Sequence, residues 1–277
     1  MWEVWRGRGA FLEKGPSPPP IFIVSLSLIF VTILRSGRDW GMPGSMSMLP
    51  EFFAGGAIPW SPILLSLKVA GLATAASFCA GVAAAWLLAR RRSPFSAILD
   101  AMCTLPMILP PTVLGYYLIL LVGRRGVIGP WLAECGINLI FSWQGAVVAA
   151  TVVVFPLIYK SARAALELVD PRLENAARTL GASEWKVFWQ VSLPLAWRGI
   201  VAGGMLAFAR GMGEFGATLM IAGNIPGKTQ TLALAIYDAF QAGNDEQATV
   251  LVVLTSGLCL AILVIADRLF GGKAGGR

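Results

Sequence analysis

Arg210 and Glu214 stand four residues apart in an apolar, glycine-rich stretch, G-I-V-A-G-G-M-L-A-F-A-R-G-M-G-E-F-G-A-T from Gly199 to Thr218. At that spacing they share a helix face and can pair. A charge near a bilayer centre costs roughly 2.5–3.5 kcal/mol on insertion scales, so such residues are expected to face protein or water. Two readings stay open. Arg210 lines a path for an anion with Glu214 holding it in place, or the two neutralise each other and lock helix packing. A carboxylate on an anion path would repel its substrate, which favours a structural role for Glu214. A second stretch, G-N-I-P-G-K-T from Gly223 to Thr229, invites a nucleotide site. A phosphate loop needs four residues between its first glycine and Gly-Lys-Thr; three stand here, and no strand precedes them. Pro226 and Gly227 suit a turn instead, so the chain is expected to bind no nucleotide itself. It contains no histidine, and Cys79, Cys103, Cys135 and Cys259 lie far apart without a C-x-x-C. That pattern suits small core residues and neither a metal centre nor a disulfide framework.

The elements that must position these residues are membrane spans. Of 277 residues, 56% are hydrophobic and 13% charged, against a charged fraction of about 25% in soluble domains. Five runs approach or exceed the length needed for a hydrocarbon core, about 20 residues of helix: Val69 to Ala89, Ala101 to Val122, Gly145 to Tyr159, Gly199 to Ala222 and Thr249 to Ala266. The third is short unless Leu139 to Gln144 joins it. The expected fold is an all-α polytopic bundle of five core transmembrane helices, with a sixth, N-terminal one left open at Ile21 to Leu34. The second run reads T-L-P-M-I-L-P-P-T-V-L-G-Y-Y and holds Pro106, Pro110 and Pro111. Proline removes a backbone donor and kinks a helix, so this is either a bent helix facing a pore or a packed structural kink. In the fourth run, Gly199 and Gly203 stand in G-x-x-x-G spacing, which places the helix inside the bundle or at a dimer seam. The candidates for a translocation path are Pro110, Pro111, Thr112, Arg210, Glu214 and Thr218.

Between the third and fourth runs lies E-N-A-A-R-T-L-G-A-S-E-W-K-V-F-W-Q-V-S-L-P, Glu174 to Pro194. Leu173, Ala176, Ala177 and Leu180 recur at helical spacing, and Trp185, Phe188 and Trp189 continue an apolar stripe past Gly181. A turn at Gly181 between two short helices fits this pattern, and a helical hairpin on a membrane face wants a partner. If it is cytoplasmic, the inner segments gather Arg90, Arg91, Arg92, Lys160, Arg163, Arg172, Arg178, Lys186, Arg198, Arg268, Lys273 and Arg277. The outer ones keep only Arg35, Arg38, Lys68, Arg124, Arg125 and Lys228. This obeys the positive-inside rule and places the C-terminus in the cytoplasm. The net charge of +7 is then a consequence of topology, and nucleic-acid binding is not expected because no binding fold organises the charge.

From Pro59 to Phe270 the chain resembles the permease family of molybdate ABC importers, ModB. The matching stretches are S-L-K-V-A at Ser66, L-P-P-T-V-L-G-Y-Y at Leu109, G-R-R-G at Gly123, E-N-A-A-R-T-L-G-A, F-A-R-G-M-G-E-F-G-A-T, and I-A-G-N-I-P-G-K-T-Q-T. The resemblance implies a type I importer fold in a bacterial cytoplasmic membrane and a homodimer of permeases. Two cytoplasmic ABC ATPase subunits would use ATP and Mg, and an extracytoplasmic molybdate-binding protein would deliver the cargo. It assigns coupling to Glu174, Ala176, Ala177, Gly181, Ala182, Leu193 and Pro194. One departure matters: the family's Glu-Ala-Ala is Asn175-Ala176-Ala177 here, with Glu174 one residue early. The acidic contact to the ATPase therefore comes from Glu174 or is absent.

The implied function is molybdate import by alternating access, with sulfate, thiosulfate or tungstate as alternative cargo. A secondary anion transporter would need inverted repeats or an ion-coupling carboxylate; no convincing repeat is visible, and Glu214 is the one acid well inside a span. A membrane-embedded enzyme would need a nucleophile or acid–base constellation, which is also missing. The organisation read from the chain is an N-terminal extension over 1–58, a permease domain over 59–270 with its coupling loop at 170–194, and a cytoplasmic tail over 271–277. For residues 1–47, a short first span, a signal-like segment and a translation start at Met48 are all considered, the last being expected.

Overall fold

Small residues at helical spacing dictate how this chain packs. The structure is a computed structural model that describes residues 60–89 and 93–270, all within one compact unit, Pro59–Arg277. The expectations for residues 1–58, Arg90 to Arg92 and 271–277 lie outside the described residues. The first described helix, α1 (Trp60–Leu88), buries Ser66, Ala70, Ala73, Ser77, Gly81 and Ala85 along one face. That face lies on a long helix from the middle of the chain, α5 (Trp143–Glu167), whose buried side is Gly145, Ala146, Ala149, Ala150, Val153 and Val154 with Ile158, Tyr159 and Ala162. Such side chains let backbones approach closely. A Cβ on Gly81 would sit 3.1 Å from Ile158 and 3.2 Å from the Tyr159 nitrogen, and the Ser77 hydroxyl donates to the Thr151 carbonyl across the pair at 2.9 Å.

The intervening elements are α2 (Pro94–Ile108), α3 (Pro111–Val122) and the short α4 (Gly129–Glu134). Ser93 and Ser96 cap the start of α2 reciprocally, with Pro94 in its first turn. The expected kink in the second span is a full break at Leu109–Pro110: the axes of α2 and α3 differ by 114°. Pro110 and Pro111 remove two successive backbone donors, and the residue ahead of each is pushed towards extended backbone, as Leu109 shows with ψ 140. No residue of α2 is buried.

After α5 the chain enters the hairpin, α6 (Pro171–Thr179) and α7 (Glu184–Val187), then a π-helical turn (Phe188–Ser192) that runs into α8 (Leu193–Met212). Pro194 explains the widened turn. It has no N–H to offer Gln190, and the Leu193 N–H bonds instead to Phe188, five residues back. Gly199 and Gly203 seat α8 against Ala165 and Ser161 of α5, so the G-x-x-x-G packs within this bundle. The fourth span does not run unbroken to Ala222: α8 stops at Met212, and α9 (Gly216–Ala222) begins anew after Gly213, Glu214 and Phe215. The helices α10 (Leu232–Gln241) and α11 (Asp245–Phe270) complete the order.

Among the described residues four helical segments are long and apolar enough to cross a membrane, and the α2–α3 pair supplies the fifth expected span in broken form. The G-N-I-P-G-K-T stretch closes around a fully buried Thr229. Its hydroxyl donates to the Gly223 carbonyl at 3.2 Å and accepts from the Ile225 N–H at 3.0 Å, while Gly227 turns with φ +72. The expected turn is present.

Candidate functional site

The hairpin and the helix breaks are built by different parts of the sequence. Asp170 caps α6, its carboxylate accepting from the Arg172 N–H at 2.9 Å, with Pro171 first in the helix. The helix ends in a Schellman motif. Gly181 has φ +83, its N–H reaches the Arg178 carbonyl at 3.0 Å, and the Ala182 N–H reaches Ala177 at 3.1 Å. The spacing of Ala177, Gly181 and Ala182 is thus the geometry of a helix stop. Among the described residues nothing comes within 4 Å of a Cβ built on Gly181, so glycine is favoured there by φ and not by crowding.

Most of the apolar stripe is exposed, Phe188 excepted. Leu180 is 87% exposed, Leu173 50%, Trp185 59% and Trp189 51%, and Ala176 is exposed with them. Exposed large apolar side chains on one hairpin, with Trp185 and Trp189 in ring contact at 5.7 Å, suit an interaction site. The inner side of the hairpin is polar at one point and aromatic around it. Phe188 is buried, and Trp86 at the end of α1 packs against Phe188 and Trp185 with ring centroids 5.0 and 5.8 Å apart.

Of the two readings for the acidic contact, supplied by Glu174 or absent, the burial of Glu174 favours the second. This residue is 2% exposed, and its carboxylate accepts from the Ser192 hydroxyl at 2.6 Å and pairs with Arg178 at 3.3 Å. One residue of shift along a helix turns a side chain by about 100°, so the acid that precedes the family position points into the hairpin. Arg178 also binds Glu184 at 2.6 and 3.0 Å and Asn175 at 2.7 Å. The Glu184 carboxylate raises the pKa of the Arg178 guanidinium above its ordinary value, so the arginine stays charged. Ser192 was not singled out from sequence. The available signal was a hydroxyl just ahead of Leu193-Pro194, where proline forces an irregular turn.

A second missed group ties α2 to α5. Asp100 accepts from the Tyr159 hydroxyl at 2.8 Å and pairs with Lys160 at 3.1 Å and Arg163 at 2.6 Å, while Arg163 also holds Glu167 at 2.8 Å. An acid within an otherwise apolar run was the signal for it.

The structure brings the six path candidates into one region. Pro110 caps α3, Pro111 opens it, and the start of α9 lies beside them. A Cβ on Gly216 would be 3.0 Å from Pro111 and 3.3 Å from Thr112. The two short helices then run side by side, with Gly115 against Ala217 and Met220. Glu214 sits between α8 and α9 at 2% exposure. One carboxylate oxygen accepts from the Ala217 N–H at 3.0 Å, and the other pairs with Arg210 at 2.9 Å. A carboxylate at a helix N-terminus is stabilised by the free N–H groups there. The expected pairing is therefore present, although Glu214 lies beyond the end of the Arg210 helix. Arg210 itself remains 39% exposed and Thr112 is exposed, whereas Thr218 is buried with no hydrogen-bond partner for its hydroxyl. This region can present one accessible cation beside two helix breaks.

Residues 77–272 match the family described as binding-protein-dependent transport system inner membrane component. The molybdenum transport system permease protein ModB of Escherichia coli K12 is 48% identical over 212 residues, covering 76% of this chain and 93% of that one. The putative molybdenum transport system permease protein YvgM of Bacillus subtilis is 43% identical over 75% of this chain and 92% of its own. The chloroplastic sulfate permease 2 of Chlamydomonas reinhardtii is 37% identical over 80% of this chain and 63% of its own. Among solved structures, an inward-facing MetNI methionine ABC transporter aligns with a TM-score of 0.62 at 20% identity, covering 80% of this chain and 97% of that chain. A bacterial alginate ABC transporter aligns at 0.68 and 14% identity, covering 90% and 92%. The bundle with its broken helices and outward-facing hairpin is thus the type I importer permease fold, and the chain belongs to the family of binding-protein-dependent transport system inner membrane components.

Proposed function

We propose that this chain is the permease subunit of an ATP-driven importer that carries molybdate across the cytoplasmic membrane by alternating access. The observation that carries this reading is the hairpin: an exposed apolar surface, Leu173, Leu180, Trp185 and Trp189, on a stem tied by Glu174 and Ser192 to the helix that leads to Arg210. Such a surface suits the cleft of a cytoplasmic ATPase, two of which would serve a homodimer of permeases and consume ATP and Mg. An extracytoplasmic binding protein would supply the anion from the other side, and the C-terminus would lie in the cytoplasm. ATP-driven closure of the ATPases moves the hairpins and opens the bundle outward; hydrolysis resets it. Arg210 supplies the cation on the anion path, and Glu214 positions it while capping α9. A conduction path must release what it binds, so selection among oxyanions falls to the binding protein.

The 48% identity to a molybdenum permease supports molybdate, and the 37% identity to a sulfate permease keeps sulfate as the second reading. The test is uptake of molybdate, tungstate and sulfate into vesicles holding this permease, with and without its ATPase and binding protein. ATP-dependent molybdate accumulation that needs both partners, with sulfate competing poorly, is expected. Uptake without the ATPase would overturn the importer reading, and ATP-driven uptake of sulfate alone would replace the cargo.

A further inference from the structure

The hairpin is joined to itself by two clasps of different kinds. The outer one, Arg178 with Glu184, is partly exposed, and Glu184 is 65% open to solvent; ion pairs in such a setting contribute little. The inner one is the hydrogen bond from Ser192 to Glu174, with both residues under 5% exposure. It closes eighteen residues of chain, and it lies away from water, where a charge-assisted bond is strong. Ser192 is also the last residue of the π-helical turn that joins the hairpin to α8. A small cavity of about 30 Å³ beside Glu174 and Ser192 is lined by Trp86, Leu166, Val187 and Phe188.

We propose that Glu174 and Ser192 are positioning residues for coupling. Their buried bond locks the π-helical turn so that the hairpin and α8 move as one lever. Without it the hairpin would pivot at Phe188–Ser192, and a displacement of the Leu173 and Leu180 surface would dissipate in the turn. With it, the displacement travels along the twenty residues of α8, past Gly199 and Gly203 on α5, to the break where Arg210 meets Glu214. The proposal rests on the reading that the hairpin docks an ATPase, and it gives Glu174 a task different from touching that ATPase.

The experiment uses the full permease, alone and with its ATPase and binding protein in vesicles. Labelled-molybdate uptake per ATP hydrolysed is measured beside ATPase co-purification. A spin-label distance between Arg172→Cys and Arg198→Cys, both exposed and outside the clasp, is measured with the four native cysteines replaced by serine. The parent permease is expected to keep one narrow distance with and without ATP. Ser192→Ala should broaden that distance and lower uptake per ATP by about tenfold or more, the equivalent of one charge-assisted hydrogen bond, while the ATPase still co-purifies. Ser192→Thr should restore both readouts. Glu174→Gln, which keeps an acceptor for the hydroxyl, should retain the narrow distance; a broad distribution in that variant overturns the proposal even where Ser192→Ala fails to insert. Unchanged distance and coupling in Ser192→Ala would overturn it as well. Absence of ATPase binding by the unaltered permease would instead overturn the importer reading, and the label distances in the permease alone would still decide the clasp.

Discussion

Individual residues in this chain are used for backbone geometry as often as for charge. Gly181 holds φ +83 in open space, so replacing it strains the backbone without a clash inside the chain. A β-branched residue in the left-handed region costs about 1–2 kcal/mol, and its side chain would stand on the docking surface. Gly181→Val is expected to insert normally and to lose ATP-driven uptake, whereas Gly181→Asn, which tolerates this conformation, should retain a larger share. Uptake normalised to permease abundance checks both. The Arg210–Glu214 pair makes an asymmetric prediction, since the acid is 2% exposed and the arginine 39%. Arg210→Ala strands a buried carboxylate that keeps only its Ala217 N–H partner, which makes it the costlier of the two changes. Glu214→Gln leaves a partly solvated guanidinium and keeps an oxygen for the Ala217 N–H, at about 1–2 kcal/mol. Thermal unfolding of the purified permease should therefore rank Arg210→Ala below Glu214→Gln, and the reverse order would refute the burial argument.

At the scale of elements, the joints matter more than the spans. The helices α3 and α9 meet with no space at Gly115, where an added Cβ would come within 2.6 Å of the Met220 Cβ and 3.1 Å of the Ala217 Cα. Overpacking of this kind costs about 1–3 kcal/mol. Gly115→Ala is expected to lower both stability and uptake, and Met220→Gly in the same chain should recover part of each because it removes the Cβ and Cγ that would lie 2.6 and 3.0 Å away. Unfolding temperatures of the two singles and the double would show the coupling. No recovery would mean that the backbone contact at Ala217 dominates. The Asp100 network is a joint of another sort. It holds α2, none of whose residues is buried, to α5 through Tyr159, Lys160 and Arg163.

For the whole molecule, the orientation of the described helices makes the prediction. Cys135 lies between α4 and α5, on the outer side if the hairpin is cytoplasmic, and like Cys79 it is exposed and not the core residue expected. A membrane-impermeant thiol reagent applied to intact cells is expected to label Cys135. A cysteine placed at Arg172, on α6, should react only after permeabilisation. The opposite pattern would invert the topology and with it the assignment of the hairpin to the ATPase side. Much apolar surface also remains open on this single chain, including Phe95, Ile98, Met102, Met107 and Ile108 of α2. In a bilayer such surface meets lipid or a second protein without penalty, which is why it coexists with a stable bundle.

Composition and pattern alone determined that the chain is a polytopic helical membrane protein, roughly where its spans lie and which loops collect positive charge, because span length and the cost of moving cations across a bilayer are local properties. Helix-stop and turn chemistry is also local, so the turns at Gly181 and at Pro226-Gly227 were legible. Only the tertiary structure decided where the breaks fall and which way side chains face. Periodicity cannot distinguish a kink at Pro110 from a 114° break, since the outcome depends on what α3 packs against. The same limit applies to Glu174. Whether it contacts a partner or is withdrawn could not be read from its charge and spacing; it is buried against Ser192, and a hydrogen bond between residues eighteen apart is set by packing and not by local sequence.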